Sequence, residues 1–352
     1  MTQSATFQVD LEPGVAFYEL KVAEVIEETA DARSFVLEIP PDLSERFRYR
    51  AGQFLTFRIP WGDFRITRCY SLSSSPEADE PVKVTVKRVA DGRMSNWFND
   101  RLAAGSRIEV RPPAGQFVLG EGSAPLMFFG GGSGITPIVS LIKTALLTTQ
   151  RRLKLLYANR DAESVIFRRE LDALEARHPE RLEVVHHLDD AAGFLTQARL
   201  HALIEGWDAA EFYVCGPTAY MDLVEEVLES RSVVFVERFI SARDPDRREE
   251  PSDAPSPAGD LPQKYKVTIE DRTHEIPYLP GKTLLECAKQ AGIDPPFSCE
   301  EGYCSCCMAM LRQGEVVMAT NDALAEKDLA AGYVLTCQSR PTSPEIWVDY
   351  DG

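Results

Sequence analysis

The segment from Cys299 to Cys307 carries four thiols within nine residues, and a fifth follows at Cys337. Cys299, Cys304, Cys307 and Cys337 stand in the spacing C-x4-C-x2-C…C, which suits a 2Fe–2S cluster. Three thiolates close around the inorganic core on one loop, and a distant strand or turn supplies the fourth. Gly302 lets that loop fold tightly. Four thiolates also suit structural zinc. Zinc sites more often pair two short knuckles, so the spacing favours iron–sulfur. Cys306 lies between two of these ligands and reads as a small buried side chain or a weak hydrogen-bond donor. Cys69 and Cys287 read as core.

Three further motifs suit a flavin and a nicotinamide dinucleotide. Arg68-Cys69-Tyr70-Ser71 ends a β-rich stretch. About twenty residues later Gly92-Arg93-Met94-Ser95 opens a helix, with Ser95 expected as its N-cap. An arginine plus a helix N-terminus can receive a pyrophosphate, and a tyrosine ring can cover a flavin face. Gly130-Gly131-Gly132-Ser133-Gly134-Ile135-Thr136-Pro137 follows an apolar strand. Small residues there let the backbone approach a phosphate, with Thr136 expected as N-cap and Pro137 in the first turn. It departs from G-x-G-x-x-G, because Ile135 takes the place of the third glycine. Cys215-Gly216-Pro217 follows another strand, at the carboxyl end where open α/β sheets bind ligands. Glu237-Arg238-Phe239 closes this region. Phe239 either covers the flavin or seals a core edge.

The elements that hold these motifs change in texture along the chain. From about 15 to 117, short β-rich runs such as QFLTFRI and VKVTVKRV alternate with turns, which predicts an antiparallel barrel or sandwich. From 124 to 240, strands alternate with helices, which predicts a parallel doubly wound sheet. Residues 241–262 hold five prolines and many charges, the composition of a linker. The expected division is 14–120 for flavin, 121–240 for nucleotide, 241–262 as linker and 263–352 for the cluster.

The 352 residues carry 38 basic and 55 acidic side chains, a net charge of −17. That balance argues against nucleic acid or an anionic membrane as main partner. The N-terminal stretch has no basic n-region and no apolar h-region, so no signal peptide is expected. The uncharged run 124–142 holds four glycines and two prolines, a poor membrane span. Clustered cysteines without an export signal point to a reducing, cytoplasmic setting. Residues 260–352 carry 15 acidic and 8 basic side chains, so the acidity is densest on the cluster domain. That charge is either a solvated face or a means of steering toward a basic partner.

Taken in order, these motifs resemble the ferredoxin–NAD(P)+ reductase superfamily, and more narrowly the single-chain reductase components of multicomponent oxygenases. YANRD, VERF, PPFSCEEGYC and GYVLTCQSRP are most similar to the 3-ketosteroid 9α-hydroxylase reductases. The phenylacetyl-CoA epoxidase reductases share the domain order. The resemblance implies FAD, NADH (or NADPH) and a 2Fe–2S cluster, a β-grasp ferredoxin domain, a monomer, and a terminal oxygenase as electron acceptor. It implies that Arg68 holds the flavin phosphate, Tyr70 packs on the ring and Ser71 bonds near flavin N5. Lys87, Gly92, Met94 and Ser95 would serve the flavin, and Gly131, Gly132, Gly134 and Thr136 the nicotinamide dinucleotide. Cys215, Gly216 and Pro217 would lie at the nicotinamide, with Glu237 and Phe239 beside the reacting centre. Asn159 and Arg160 would sit at the nucleotide, where Arg160 could accept a 2′-phosphate. Ser305 and Cys306 depart from the small residues usual in the cluster loop. Two other readings use the same residues: a flavin oxidoreductase with a zinc-bound docking domain, and a scaffold with a degenerate nucleotide fold.

Overall fold

The computed structural model describes residues 17–351 apart from 63, 79, 230, 232, 240–260, 270, 294, 298, 299, 301, 303–305, 322, 323 and 325. Most of the expected linker, and Cys299, Cys304 and Ser305, therefore lie outside the described residues.

The first region builds six antiparallel strands: β1 (Tyr18–Thr29), β2 (Ala32–Glu38), β3 (Phe54–Trp61), β4 (Phe64–Ser71), β5 (Lys83–Lys87) and β6 (Arg107–Ala114). Their order is β4-β3-β6-β1-β2-β5. A bridge between Leu72 and Val84 brings the two outer strands together, so the sheet curls toward closure as a barrel. Helix α1 (Arg93–Arg101) plugs one side. Its Phe98 meets Phe35 and Phe57 edge to face, with centroids 5.3 and 5.2 Å away. Such pairs add about 1 kcal/mol each beyond their buried area.

The second region is a parallel sheet of β7 (Leu126–Gly131), β8 (Leu153–Asn159), β9 (Leu182–Leu188), β10 (Glu211–Gly216) and β11 (Val234–Arg238). The order β11-β10-β7-β8-β9 reverses direction between β7 and β10. Parallel strands need both faces covered. Helices α2 (Ile135–Thr148) and α3 (Arg168–Arg177) cover one face, with Ile138, Ile142 and Leu171 fully buried. After the short α4 (Asp189–Ala192), helices α5 (Gln197–Ile204) and α6 (Thr218–Leu228) cover the other through Leu200, Met221 and Val224.

These two regions are joined by one face of α2. The Ser140 hydroxyl donates to the Ser74 carbonyl at 2.5 Å, and the Thr144 and Ser75 hydroxyls share a 2.7 Å hydrogen bond. Between them Lys143, only 4% exposed, donates to the Ser73 carbonyl at 2.9 Å. Its ammonium also pairs with Glu80 at 2.7 Å and Glu170 at 2.9 Å. A buried charge persists only when paired in this way.

The third region has β12 (Lys264–Ile269), β13 (Arg272–Pro277), α7 (Leu284–Gln290), β14 (Met308–Gln313), β15 (Val316–Met318), β16 (Tyr333–Leu335), β17 (Ser339–Pro341) and β18 (Trp347–Asp349). Five strands form a mixed sheet, β13-β12-β18-β14-β16, and β15 pairs with β17. Helix α7 starts with a capping box in which Thr283 and Glu286 satisfy each other's backbone amides. Its buried Leu284, Cys287 and Ala288 pack on the sheet, as expected for Cys287.

Candidate functional site

Strand β4 carries the flavin motif with alternating direction. Arg68 and Tyr70 share one face, and Cys69 points to the other. The Tyr70 ring lies 5.1 Å from Phe98 and 6.0 Å from Phe57, and burial pushes its hydroxyl pKa upward. Ser71 is buried, and its Oγ has no hydrogen-bond partner among the described residues. An unmet buried hydroxyl suits a polar ligand atom, so Ser71 fits a flavin beside Tyr70. The Arg68 guanidinium donates to the Thr67 carbonyl at 2.7 Å and lies 4.5 Å from the Phe297 ring centroid, at the seam with the third region.

Ser95 is not the N-cap of α1. Gly92 occupies that position, and Ser95 sits in the first turn. Its hydroxyl accepts from the Val89 amide at 3.2 Å and donates to the Gly92 carbonyl at 3.4 Å. A Cβ on Gly92 would stand 2.5 Å from that hydroxyl, which explains the Gly-x-x-Ser spacing as local packing. Met94 is buried on the barrel side. Beside this turn lies a cavity of about 510 Å³, walled by Trp61, Trp97, Arg93 and Asn96. Arg93 and Arg101 in its lining are balanced by Asp91 and Asp100, so it is the two indoles that suit the adenine of FAD. Sequence reasoning missed Trp61, Trp97 and Arg93. The signal available was a tryptophan on either side of the Arg68 and Gly92 motifs.

The glycine turn and the Cys-Gly-Pro turn interlock at the carboxyl ends of β7 and β10, where the strand order reverses. Open α/β sheets bind ligands at that point. A Cβ on Gly134 would stand 2.2 Å from the Cys215 carbonyl oxygen, and one on Gly131 2.7 Å from Pro217 Cδ. A Cβ on Gly216 would meet the Tyr220 ring at 2.9 Å. Gly132 has φ +50° and nothing within 4 Å of its Cβ position, so it serves backbone conformation rather than packing.

Thr136 also differs from expectation. A 3-10 turn over Gly132–Gly134 winds the chain before α2, so Gly134 is the cap. Thr136 falls inside the helix and donates to the Ser133 carbonyl at 3.1 Å, and Pro137 follows it within the first turn.

Cys215 is fully buried and pairs in register with Glu237 of β11. Burial, reinforced by the Glu237 carboxylate, raises the Cys215 pKa, so it stays a neutral thiol. Phe239 packs on the core cluster of the nucleotide sheet. Asn159 is buried at the end of β8. The Lys87 ammonium and Arg160 both reach Asp31, at 3.7 and 3.4 Å, and burial lowers the Lys87 pKa. The cation expected at a 2′-phosphate, Arg160, therefore already has a carboxylate beside it.

In the third region Cys307 and Cys337 are both buried, in one apolar cluster with Leu285, Phe297, Leu324 and Leu335. The Thr336 amide and hydroxyl both donate to the Cys307 carbonyl, at 3.2 and 3.0 Å. Gly302 has φ +91°, and its Cβ position lies 3.0 Å from the Thr320 carbonyl, as the tight loop required. Two soft thiols brought together in a dry shell fit an iron–sulfur centre. Phe297 lies between the Arg68 guanidinium and the Lys289 ammonium, the latter 4.2 Å from its centroid.

The remaining two cysteines do not behave as expected. Cys69 and Cys306 form a disulfide that joins the flavin strand to the cluster loop across 237 residues of sequence. Phe54 and Ala114 pack around it. No motif pairs them, because their proximity arises only when the domains dock.

The sequence matches three family models: an oxidoreductase FAD-binding domain over 19–119, an oxidoreductase NAD-binding domain over 128–226, and a 2Fe–2S iron–sulfur cluster binding domain over 267–342. It is 40% identical over 337 residues to the ferredoxin reductase component of the 3-ketosteroid-9-alpha-monooxygenase of Rhodococcus rhodochrous, covering 94% of this chain and 96% of that one. It is 32% identical to one of the subunits of the 1,2-phenylacetyl-CoA epoxidase of Escherichia coli, covering 95% and 98%. Among solved structures, phthalate dioxygenase reductase superposes with a TM-score of 0.61 at 27% identity, covering 95% and 98% of the two chains. The chain is an NAD(P)H oxidoreductase with FAD-, NAD- and 2Fe–2S-binding domains, and it belongs to the family of ferredoxin reductase components of multicomponent oxygenases.

Proposed function

We propose that this chain takes electrons from NADH and delivers them singly to a terminal oxygenase of the kind that the steroid-monooxygenase reductases serve. When bound, the flavin and the cluster supply the conversion of a two-electron donor into one-electron deliveries. The chain's residues supply placement. The interlocked glycine and Cys-Gly-Pro turns hold the dinucleotide at the strand reversal, and the neutral Cys215 thiol adds no charge there. Ser71 offers its unmet hydroxyl to the flavin, Tyr70 covers the ring, and the cavity by Gly92 receives the adenosine half. Cys299, Cys304, Cys307 and Cys337 ligate the cluster. NADH is preferred because Asp31 faces Arg160 and would repel a 2′-phosphate.

The observation that carries this reading is the placement of β4. Its end carries Arg68, Tyr70 and Ser71 for the flavin, and the same stretch meets the third region through Cys69 and through the Arg68 contact with Phe297. Two redox sites meeting at one strand end suit rapid electron passage.

The test uses the purified holoprotein with NADH. Cys304→Ser is expected to abolish cytochrome c reduction and the cluster absorbance while leaving ferricyanide reduction in place. Cytochrome c reduction that survived with full cluster absorbance would overturn the ligand assignment. Turnover with a steroid oxygenase, compared with an epoxidase, then tests the partner.

A further inference from the structure

The flavin strand and the ferredoxin region also meet at one aromatic ring. We propose that Phe297 is a positioning residue for the flavin-to-cluster step, holding two cations against the shell of the cluster so that the arriving electron is stabilised there. Its part in turnover rests on the proposed electron-delivery function; the placement of charge does not.

The ring is 4% exposed and packs in one apolar cluster with Cys307, Cys337, Leu285 and Leu335. Two of the four expected cluster ligands therefore share its surroundings. Over the same ring stand two cations from different regions. The Arg68 guanidinium, from β4 of the barrel, lies 4.5 Å from the centroid. The Lys289 ammonium, from the last turn of α7, lies 4.2 Å from it. The face of an aromatic ring attracts cations, most strongly away from water.

Lys289 is braced by a second contact. Its ammonium pairs with Glu300 at 2.9 Å, and both side chains are largely buried. The Glu300 carbonyl accepts from Gln338 Nε2 at 2.7 Å, and that nitrogen also lies 3.6 Å from Cys337 Sγ. Ring, ammonium and amide thus form one connected shell that ends on a ligand sulfur. Because β4 also carries Tyr70 and Ser71 for the flavin, a ring that seats Arg68 sets that strand against the cluster shell.

The step itself moves one electron and no atom between the sites. The reduced flavin loses the electron, and one ferric iron of the cluster becomes ferrous. The cluster gains one negative charge, which nearby positive charge favours. The potential of an iron–sulfur centre follows its charge environment and the hydrogen bonds to its sulfurs.

The experiment uses the holoprotein and three variants. Anaerobic stopped-flow with NADH follows flavin and cluster bleaching separately, and an EPR titration with dithionite gives the cluster midpoint potential without NADH. Phe297→Leu is expected to keep its cluster absorbance, to reduce its cluster roughly tenfold more slowly once the flavin has bleached, and to show a lower midpoint potential. Phe297→Tyr, which keeps the ring, should retain both values. Lys289→Met leaves Glu300 without its cation and should lower the potential with the ring in place. An unchanged potential or an unchanged rate in Phe297→Leu overturns the role. So does a Phe297→Tyr protein as impaired as Phe297→Leu. Where Phe297→Leu fails to hold its cluster, Lys289→Met decides: a lower potential supports the role, and an unchanged one overturns it. A wild-type holoprotein whose cluster NADH cannot reduce overturns the delivery function instead, and the dithionite titration still reads the charge at the ring.

Discussion

The nucleotide sheet and the ferredoxin sheet hold their cofactors with different materials. At the end of β7 the backbone does the work. Gly131, Gly134 and Gly216 pack so closely that no side chain fits among them, and the turn is shaped before any ligand arrives. In the ferredoxin region the proposed ligands are side-chain sulfurs, with Cys307 and Cys337 set in an apolar shell. The first kind of site fails when atoms are added, and the second when one donor atom is lost. The difference explains why one signature is written in glycines and the other in cysteines.

The sharpest way to break that contrast is Cys337→Ser, expected to remove essentially all cluster absorbance and cytochrome c reduction while NADH still reduces the flavin, as read by bleaching of the visible band. Loss of flavin reduction as well would mean that the two sites are not separable. Lys143→Met is the next largest. It leaves Glu80 and Glu170 without their buried cation, and about 3–5 kcal/mol of stability should disappear in urea unfolding.

The glycines themselves give a paired test. Gly134→Ala should cost about 3 kcal/mol and raise the KM for NADH, because its Cβ would meet the Cys215 carbonyl. Gly132→Ala has open space and should cost only about 1 kcal/mol, through its positive φ. Equal effects would refute the packing argument.

The smallest effect concerns a sulfur that belongs to neither site. Burial raises the Cys287 pKa to about 11. The unfolded thiol ionises first, so the folded state binds more protons above pH 9, and stability falls as pH rises. About 1.4 kcal/mol should be lost by pH 10, and Cys287→Ala should remove that slope from the unfolding curves.

Domain order, the barrel's alternating strands, the doubly wound pattern and the thiol spacing were legible, because each rests on local periodicity or on short motifs. Helix starts were less so. Ser95 and Thr136 have the right chemistry for caps. In α1 the Ser95 hydroxyl is spent on Val89 and Gly92, and in α2 a 3-10 turn starts the helix early. The walls of the cavity proposed for FAD, at Trp61 and Trp97, were hidden, since an isolated tryptophan carries no spacing. The Cys69–Cys306 pair was hidden for a different reason. Its partners are 237 residues apart, and nothing in either local sequence refers to the other.

The anchor made by Ser140, Lys143 and Thr144 has a thermodynamic consequence. Because α2 begins at the glycine turn and ends its first three turns bonded to Ser73, Ser74 and Ser75, whatever steadies the nucleotide sheet also steadies the end of the flavin strand. Occupancy at one site is then linked to retention at the other. At a hundredfold excess over Kd, a dinucleotide stabilises its domain by about 2.7 kcal/mol. To the extent that the Lys143 anchor shares it, flavin should leave the NAD+-bound protein more slowly than the free one, which dialysis with and without NAD+ reads.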